Sequence, residues 1–166
     1  LAQAQGDYAE ARRLYEESLE IERALGNRAG VAISLHQLGV LAQDQGDYAE
    51  ARRLYEEALE IERALGDRAG VAQTLHELGR LAQAQGDYAE ARRLYEESLE
   101  IERALGYRAG IARSVHQLGM LAEEDGDLRE AERLFSESLG TLEALGSPDA
   151  AEARESLERV RGKLTE

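Results

Sequence analysis

Apolar and small residues at Val71, Ala72, Leu75, Leu78, Gly79 and Ala82 recur at steps of three and four, the spacing that lines them along one side of a helix. Gly86-Asp87 interrupts the run: glycine accepts a turn, and the aspartate offers oxygens to the free amides of a following helix. Glu90, three residues on, fits a capping box. In that second helix Tyr88, Ala91, Leu94, Tyr95, Leu99 and Leu105 are predicted to face inward. Arg92 with Glu96 and Arg93 with Glu97 form i,i+4 pairs on the other side. Gly106 ends the helix, and the short connection makes the two helices antiparallel neighbours.

This cycle fills the chain. The segment that begins at Asp7 returns at Asp47 and Asp87 and, diverged, at Asp127, forty residues apart each time. A unit so short cannot bury its own apolar face, so copies must stack and build a core that runs along the array. The expected architecture is an all-α solenoid of antiparallel helix hairpins in one continuous domain. The array covers 1–146, with a truncated first repeat at 1–26 and further repeats at 27–66, 67–106 and 107–146. A capping helix follows at 147–166: Ser147-Pro148 reads as its start, and Ala150, Ala153, Leu157, Val160 and Leu164 as its apolar stripe. Leu1 to Gly6 is identical to Leu81 to Gly86 and differs from Leu41 to Gly46 only at position 4, so the first unit is read as keeping only the end of its leading helix. Tyr8, Ala11 and Tyr15 then lack a full partner helix, and fraying or end-to-end self-association is expected there.

Composition narrows the function classes. Cysteine is absent, which removes disulfides and thiolate chemistry, and no apolar run approaches a membrane span, so a cytoplasmic setting is the expectation. The net charge is −14, and every second-helix block (6–26, 46–66, 86–106, 126–146) carries −3, whereas the leading-helix blocks 27–45 and 67–85 are neutral. Such a field repels nucleic acid and anionic membranes, and neither is expected as a partner. Of the sixteen glycines none sits in a phosphate-cradling loop, and no Ser/His/Asp set or cofactor motif appears. No enzyme activity, cofactor or metal is expected.

Leu35-x-x-Leu38-Gly39, Gly46-x-Tyr48, Ala51-x-x-x-Tyr55 and Ala58 resemble the tetratricopeptide repeat in order and spacing, and the next two units repeat the pattern. Leu or Val stands for the usual tryptophan, Ala42, Ala82 and Ala122 stand for a tyrosine, and the closing proline is missing. The forty-residue period is similar to the arrays of kinesin light chains, spindle-orientation adaptors and the sensor regions of bacterial signalling NTPases. The resemblance implies a right-handed superhelix whose leading helices line a concave groove for a peptide or protein segment.

Comparing the copies sharpens that expectation. Residues 47–66 and 87–106 differ from 7–26 only at position 58, whereas 27–45 and 67–85 differ at six of nineteen positions, and 67–85 and 107–125 at ten. The varying positions that point into the groove by family analogy are Ile33/Gln73/Arg113, Val40/Arg80/Met120, Gln43/Gln83/Glu123 and Asp44/Ala84/Glu124. An asymmetric ligand requires such variation; drift after duplication is the competing account. His36, His76 and His116 share one register and are expected as a ladder along the groove, serving either structural hydrogen bonds or ligand contact. Packed helices about 8–10 Å apart keep three such rings from converging on one zinc ion. The expected function is a non-catalytic interaction scaffold. The alternative is a structural or self-assembling array without a dedicated ligand.

Overall fold

The computed structural model describes the backbone of residues 2–165 and the side chains of residues 7–165. Leu1 and Glu166, the outer ends assigned to the first repeat and the capping helix, lie outside the described residues. Among the described residues eight helices follow in order: α1 (Ala2–Leu25), α2 (Arg28–Asp44), α3 (Tyr48–Leu65), α4 (Arg68–Ala84), α5 (Tyr88–Leu105), α6 (Arg108–Glu124), α7 (Leu128–Leu145) and α8 (Ala150–Thr165). The array expected as one domain divides into two compact units, Leu1–Gln85 and Gly86–Glu166. In the first, α2 packs between α1 and α3, and α4 packs on α3 and touches α2; in the second, α6 packs on α5 and α7, and α8 on α7.

Local chemistry explains the boundaries. The Asp47, Asp87 and Asp127 side chains accept from the backbone N–H of Glu50, Glu90 and Glu130 at 3.2, 3.1 and 3.1 Å, which starts α3, α5 and α7. In α3 and α7 the backbone N–H of the capping aspartate is engaged elsewhere than with the glutamate. The N–H groups of Asp47 and Asp127 already donate to Ala42 and Ala122 carbonyls at 2.9 Å, so the glutamates turn outward. Arg53 grips both oxygens of Glu50 at 2.9 and 2.8 Å and holds its carboxyl below the usual range. At the far end α3 closes on Gly66, whose φ of 71° is a conformation that glycine adopts freely.

Two expected boundaries shift. The turn at Gly6-Asp7 does not form, and α1 runs through it without a break. Six residues make under two turns with little face to bury, and continuing the helix adds a hydrogen bond per residue. Helix α8 begins at Ala150 rather than Pro148: Ser147 first closes a turn, its hydroxyl accepting from the Asp149 N–H at 3.3 Å and its carbonyl from Ala150.

The core follows the repeat. Leu54, Tyr55, Ala51 and Ala58 are sealed in unit 1, and Ala91, Leu94, Tyr95 and Phe135 in unit 2. A Cβ at Gly39 would lie 2.6 Å from the Tyr55 ring, so only glycine lets that ring lie against α2. Tyr88 and Leu105, expected inside, are exposed, because each sits at a helix end beyond its neighbour's cover. Arg92 bypasses Glu96 and reaches Asp125 at 2.7 Å. No helix among the described residues is long and apolar enough to cross a membrane.

Candidate functional site

The leading helices α2, α4 and α6 separate the expected site residues into two sets. Ile33, Gln73 and Arg113, which share one register, are all exposed, Ile33 at 64%. Asp44, Arg80 and Glu124 are exposed as well, and Val40, Gln43, Gln83 and Met120 are half-buried. Arg80 pairs with Glu77 at 3.0 Å, and Gln43 accepts from the Tyr55 hydroxyl at 3.1 Å. The Arg113 guanidinium stacks over the Tyr107 ring, 6.0 Å from its centroid. Glu123, expected in the groove, is instead taken up by α8: Arg159 binds its two oxygens at 2.9 and 2.7 Å and Lys163 adds a third contact at 2.7 Å. Those cations hold its carboxyl down at about 2.

The three histidines are not on an open face. His36, His76 and His116 are exposed by only 7, 8 and 7%, because their register turns them into the packing beside each leading helix. The His116 Nε2 meets the Ser156 hydroxyl of α8 at 3.2 Å, and its ring lies 5.1 Å from that of Phe135. His36 sits 5.4 Å from the Tyr55 ring. Burial lowers the pKa of both His36 and His116, which favours neutral rings. Among the described residues no group of three or more His, Asp or Glu side chains is placed to hold a metal ion.

His36 belongs to a network that reaches a buried acid, Glu62. The Thr74 hydroxyl donates to Glu62 Oε1 at 3.0 Å. Its only proton thus used, it must accept from His36 Nδ1, 3.1 Å away, which places the imidazole proton on Nδ1. His36 Nε2 is left to accept from the Gln73 amide at 3.4 Å. Glu62 is only 5% exposed, and its other oxygen, Oε2, has no hydrogen-bond partner. Burial raises its carboxyl above the usual range, the Thr74 bond opposes this, and the Asp67 charge adds to the rise.

Glu62 lines a cavity of about 300 Å³ between the N-terminal parts of α2 and α4. Ala32, Ile33, Leu65 and Ala69 supply apolar wall, and Gln37, Gln73 and Asp67 supply polar edge. Gly70 keeps it open: a Cβ there would stand 3.1 Å from the Glu62 carboxyl carbon and 2.7 Å from an Asp67 oxygen. Sequence reasoning brought Ile33, His36 and Gln73 to this region but missed Glu62. The signal was present, because Glu62 falls on the stripe of Tyr55, Ala58 and Leu59, one helical step beyond.

Comparison with known proteins agrees with this architecture. A solved structure of BtubC (BKLC) from P. vanneervenii superposes with a TM-score of 0.80 at 23% identity, covering 94% of this chain and 66% of that one. Apo RapI gives 0.86 at 15% identity, covering 97% of this chain and 45% of the other. A Podosopora anserina protein described as a candidate kinesin light chain with nearly identical TPR-like repeats gives 0.73 at 24%, covering 95% and 79%. The chain thus spans about two thirds of the first relative and under half of RapI, and identities this low establish the fold alone. No curated protein matches the sequence. The tetratricopeptide repeat model matches residues 1–64 and 70–144, nearly the whole described array, and the chain belongs to the tetratricopeptide repeat family.

Proposed function

We propose that the chain is a non-catalytic scaffold that binds a peptide or protein segment across the exposed faces of its leading helices. Repeats of this family commonly serve as interaction scaffolds, and the finer reading rests on one observation about this sequence. At registers where all three copies agree, such as Ala32, Ala72 and Ala112 or Leu38, Leu78 and Leu118, the side chains are buried; where all three differ, as at Ile33, Gln73 and Arg113, they face solvent. Packing demands sameness, while an asymmetric ligand demands difference. Unit 1 offers Ile33, Val40, Asp44, Gln73 and Arg80, and unit 2 offers Arg113, Met120 and Glu124, a half-buried methionine being suited to adaptable contact. The test is a peptide-library screen followed by Arg80→Glu and Arg113→Glu. Binding that falls at least tenfold in either variant supports the reading, and indifference to both overturns it.

A second reading has its own observation. On α1, Leu14, Ile21 and Leu25 are exposed, a run of large apolar residues on one helix. That surface supports self-association as the function of the array. Light scattering on a chain extended at its start by one complete repeat separates the two: a monomer rejects assembly, and growth with concentration favours it.

A further inference from the structure

Four junctions between a second helix and the leading helix after it share one register, and each solves the same problem differently. At the first, Glu22 is satisfied by the Asn27 side-chain amide, which donates to its Oε2 at 2.6 Å. At the third, Glu102 keeps its own Oε2 without a hydrogen-bond partner, but it has the Ser114 and Ser98 hydroxyls as partners and the Arg113 guanidinium charge acting on it. At the fourth the acid is gone, replaced by Leu142, and Ala150 fills the place of the glycine. At the second, Asn27 has become Asp67 and Arg113 has become Gln73. Glu62 therefore faces another carboxylate instead of an amide donor, and no cation stands at the position where Arg113 stands. It is also the junction where a cavity of about 300 Å³ opens against the acid.

The geometry points to the Glu62 cavity as the seat for a basic side chain, lysine or arginine, of a bound peptide. This rests on the peptide-binding reading above and adds the chemistry of the bound residue. The alkyl stem of such a side chain suits Ala32, Ile33, Leu65 and Ala69, and its charged end meets Glu62 Oε2, the acceptor left without a partner, with Asp67 adding negative potential. A metal ion is a poor fit, because hydrocarbon walls cannot supply the several oxygens that a hard cation requires. Gly70 serves access: its missing side chain leaves clear the space in front of the carboxyl group.

The experiment is a backbone amide NMR titration of the whole chain with Nα-acetyl-lysine N-methylamide and, in parallel, with the norleucine analogue, which has the same stem and no charge. The expected result is a saturable shift at Gly70 and Gln73 with the lysine compound, at least tenfold weaker with norleucine. Glu62→Gln should weaken the lysine response tenfold or more. Gln73→Arg, a change at an exposed position that leaves the buried acid in place, should do the same by putting an internal guanidinium at the site. Equal response to the two probes, or a lysine response unchanged in both variants, overturns the proposal. The library screen reads the other claim separately. Binders that tolerate norleucine at every basic position overturn the basic-residue seat while peptide recognition stands. A library without binders, alongside a charge-selective titration, overturns peptide recognition and supports the seat.

Discussion

Glu62 with Gly70 in unit 1 and Leu142 with Ala150 in unit 2 occupy the same place in the repeat and make opposite choices. At the α3–α4 junction of unit 1 a carboxylate is buried with one oxygen unpaired and a glycine makes room for it, as Gly110 does for Glu102 at the α5–α6 junction of unit 2. In unit 2 Leu142 joins Ala112, Ala150 and Ala153 in a closed apolar cluster with Leu139 at its side. The Ser138 hydroxyl is satisfied by the Ala112 carbonyl at 2.8 Å. Both junctions hold α3 to α4 and α7 to α8. The acid is therefore unnecessary for joining a second helix to its successor, and an unpaired buried charge lowers stability rather than raising it. Its presence is better explained by what it can receive.

The strongest way to break this comparison is to put the acid where no room was left. Leu142→Glu sets a carboxylate against Ala150 without a glycine gap, and urea unfolding should show a loss of about 3–5 kcal/mol, as for other uncompensated buried charges. A loss under about 1 kcal/mol would mean that the two junctions are interchangeable. The reverse exchange comes next. Glu62→Leu with Gly70→Ala copies the unit 2 solution into unit 1 and should raise stability by about 1–2 kcal/mol at neutral pH, seen as a higher denaturation midpoint. A lower midpoint would show that the acid is structural after all.

Proton linkage sharpens the contrast further. Glu62 and Glu102 are raised by burial, so the folded chain holds their protons more tightly than the unfolded one. Their contribution to stability is complete below the ordinary glutamate value and is lost as pH climbs through the raised folded values. Glu62→Gln should flatten that fall. Glu123 has the opposite sign: held at about 2 by Arg159 and Lys163, it contributes fully above the ordinary value of 4.5 and is lost as pH falls toward 2. Glu123→Gln should remove part of the acid limb and leave the fall at higher pH in place. Denaturation midpoints measured across pH 2–8 on the two variants read both effects.

The smallest effect concerns the helix start at the same junctions. Asn27 and Asp67 accept from the N–H of Gly30 and Gly70 at 3.2 and 3.0 Å, whereas Tyr107 makes no side-chain cap for α6. Tyr107→Asn should stabilise by about 0.5–1 kcal/mol in thermal unfolding, and its failure to do so would assign the Tyr107 ring a compensating role under Arg113.

Helices α1 and α3 show where reading the chain stops. Residues 7–20 and 47–60 are the same but for Ser18 and Ala58, yet Leu14 is 51% exposed and Leu54 only 4%. The stripe is a property of the residues, but its burial belongs to the neighbour. Leu54 lies in a helix packed on both α2 and α4, while α1 packs on α2 and meets α3 through exposed ion pairs such as Arg23–Glu57 at 2.8 Å. The same limit explains the histidines. Register announced a ladder of three equivalent rings, and only the stacked helices turned them inward to Thr74 and Ser156.

The forty-residue period, the stripes at steps of three and four and the Asp and Gly residues between them determined the helices, nearly all their limits and the family. Those features act through contacts within a few residues of one another, where sequence spacing is spatial spacing. Tertiary structure alone decided that Glu62 is buried with an oxygen unpaired, that Gly70 keeps a cavity open beside it, and that Glu123 is bound by α8. Each of these joins residues from different helices, and whether such a group is wet, paired or stranded depends on the surface that packing lays against it.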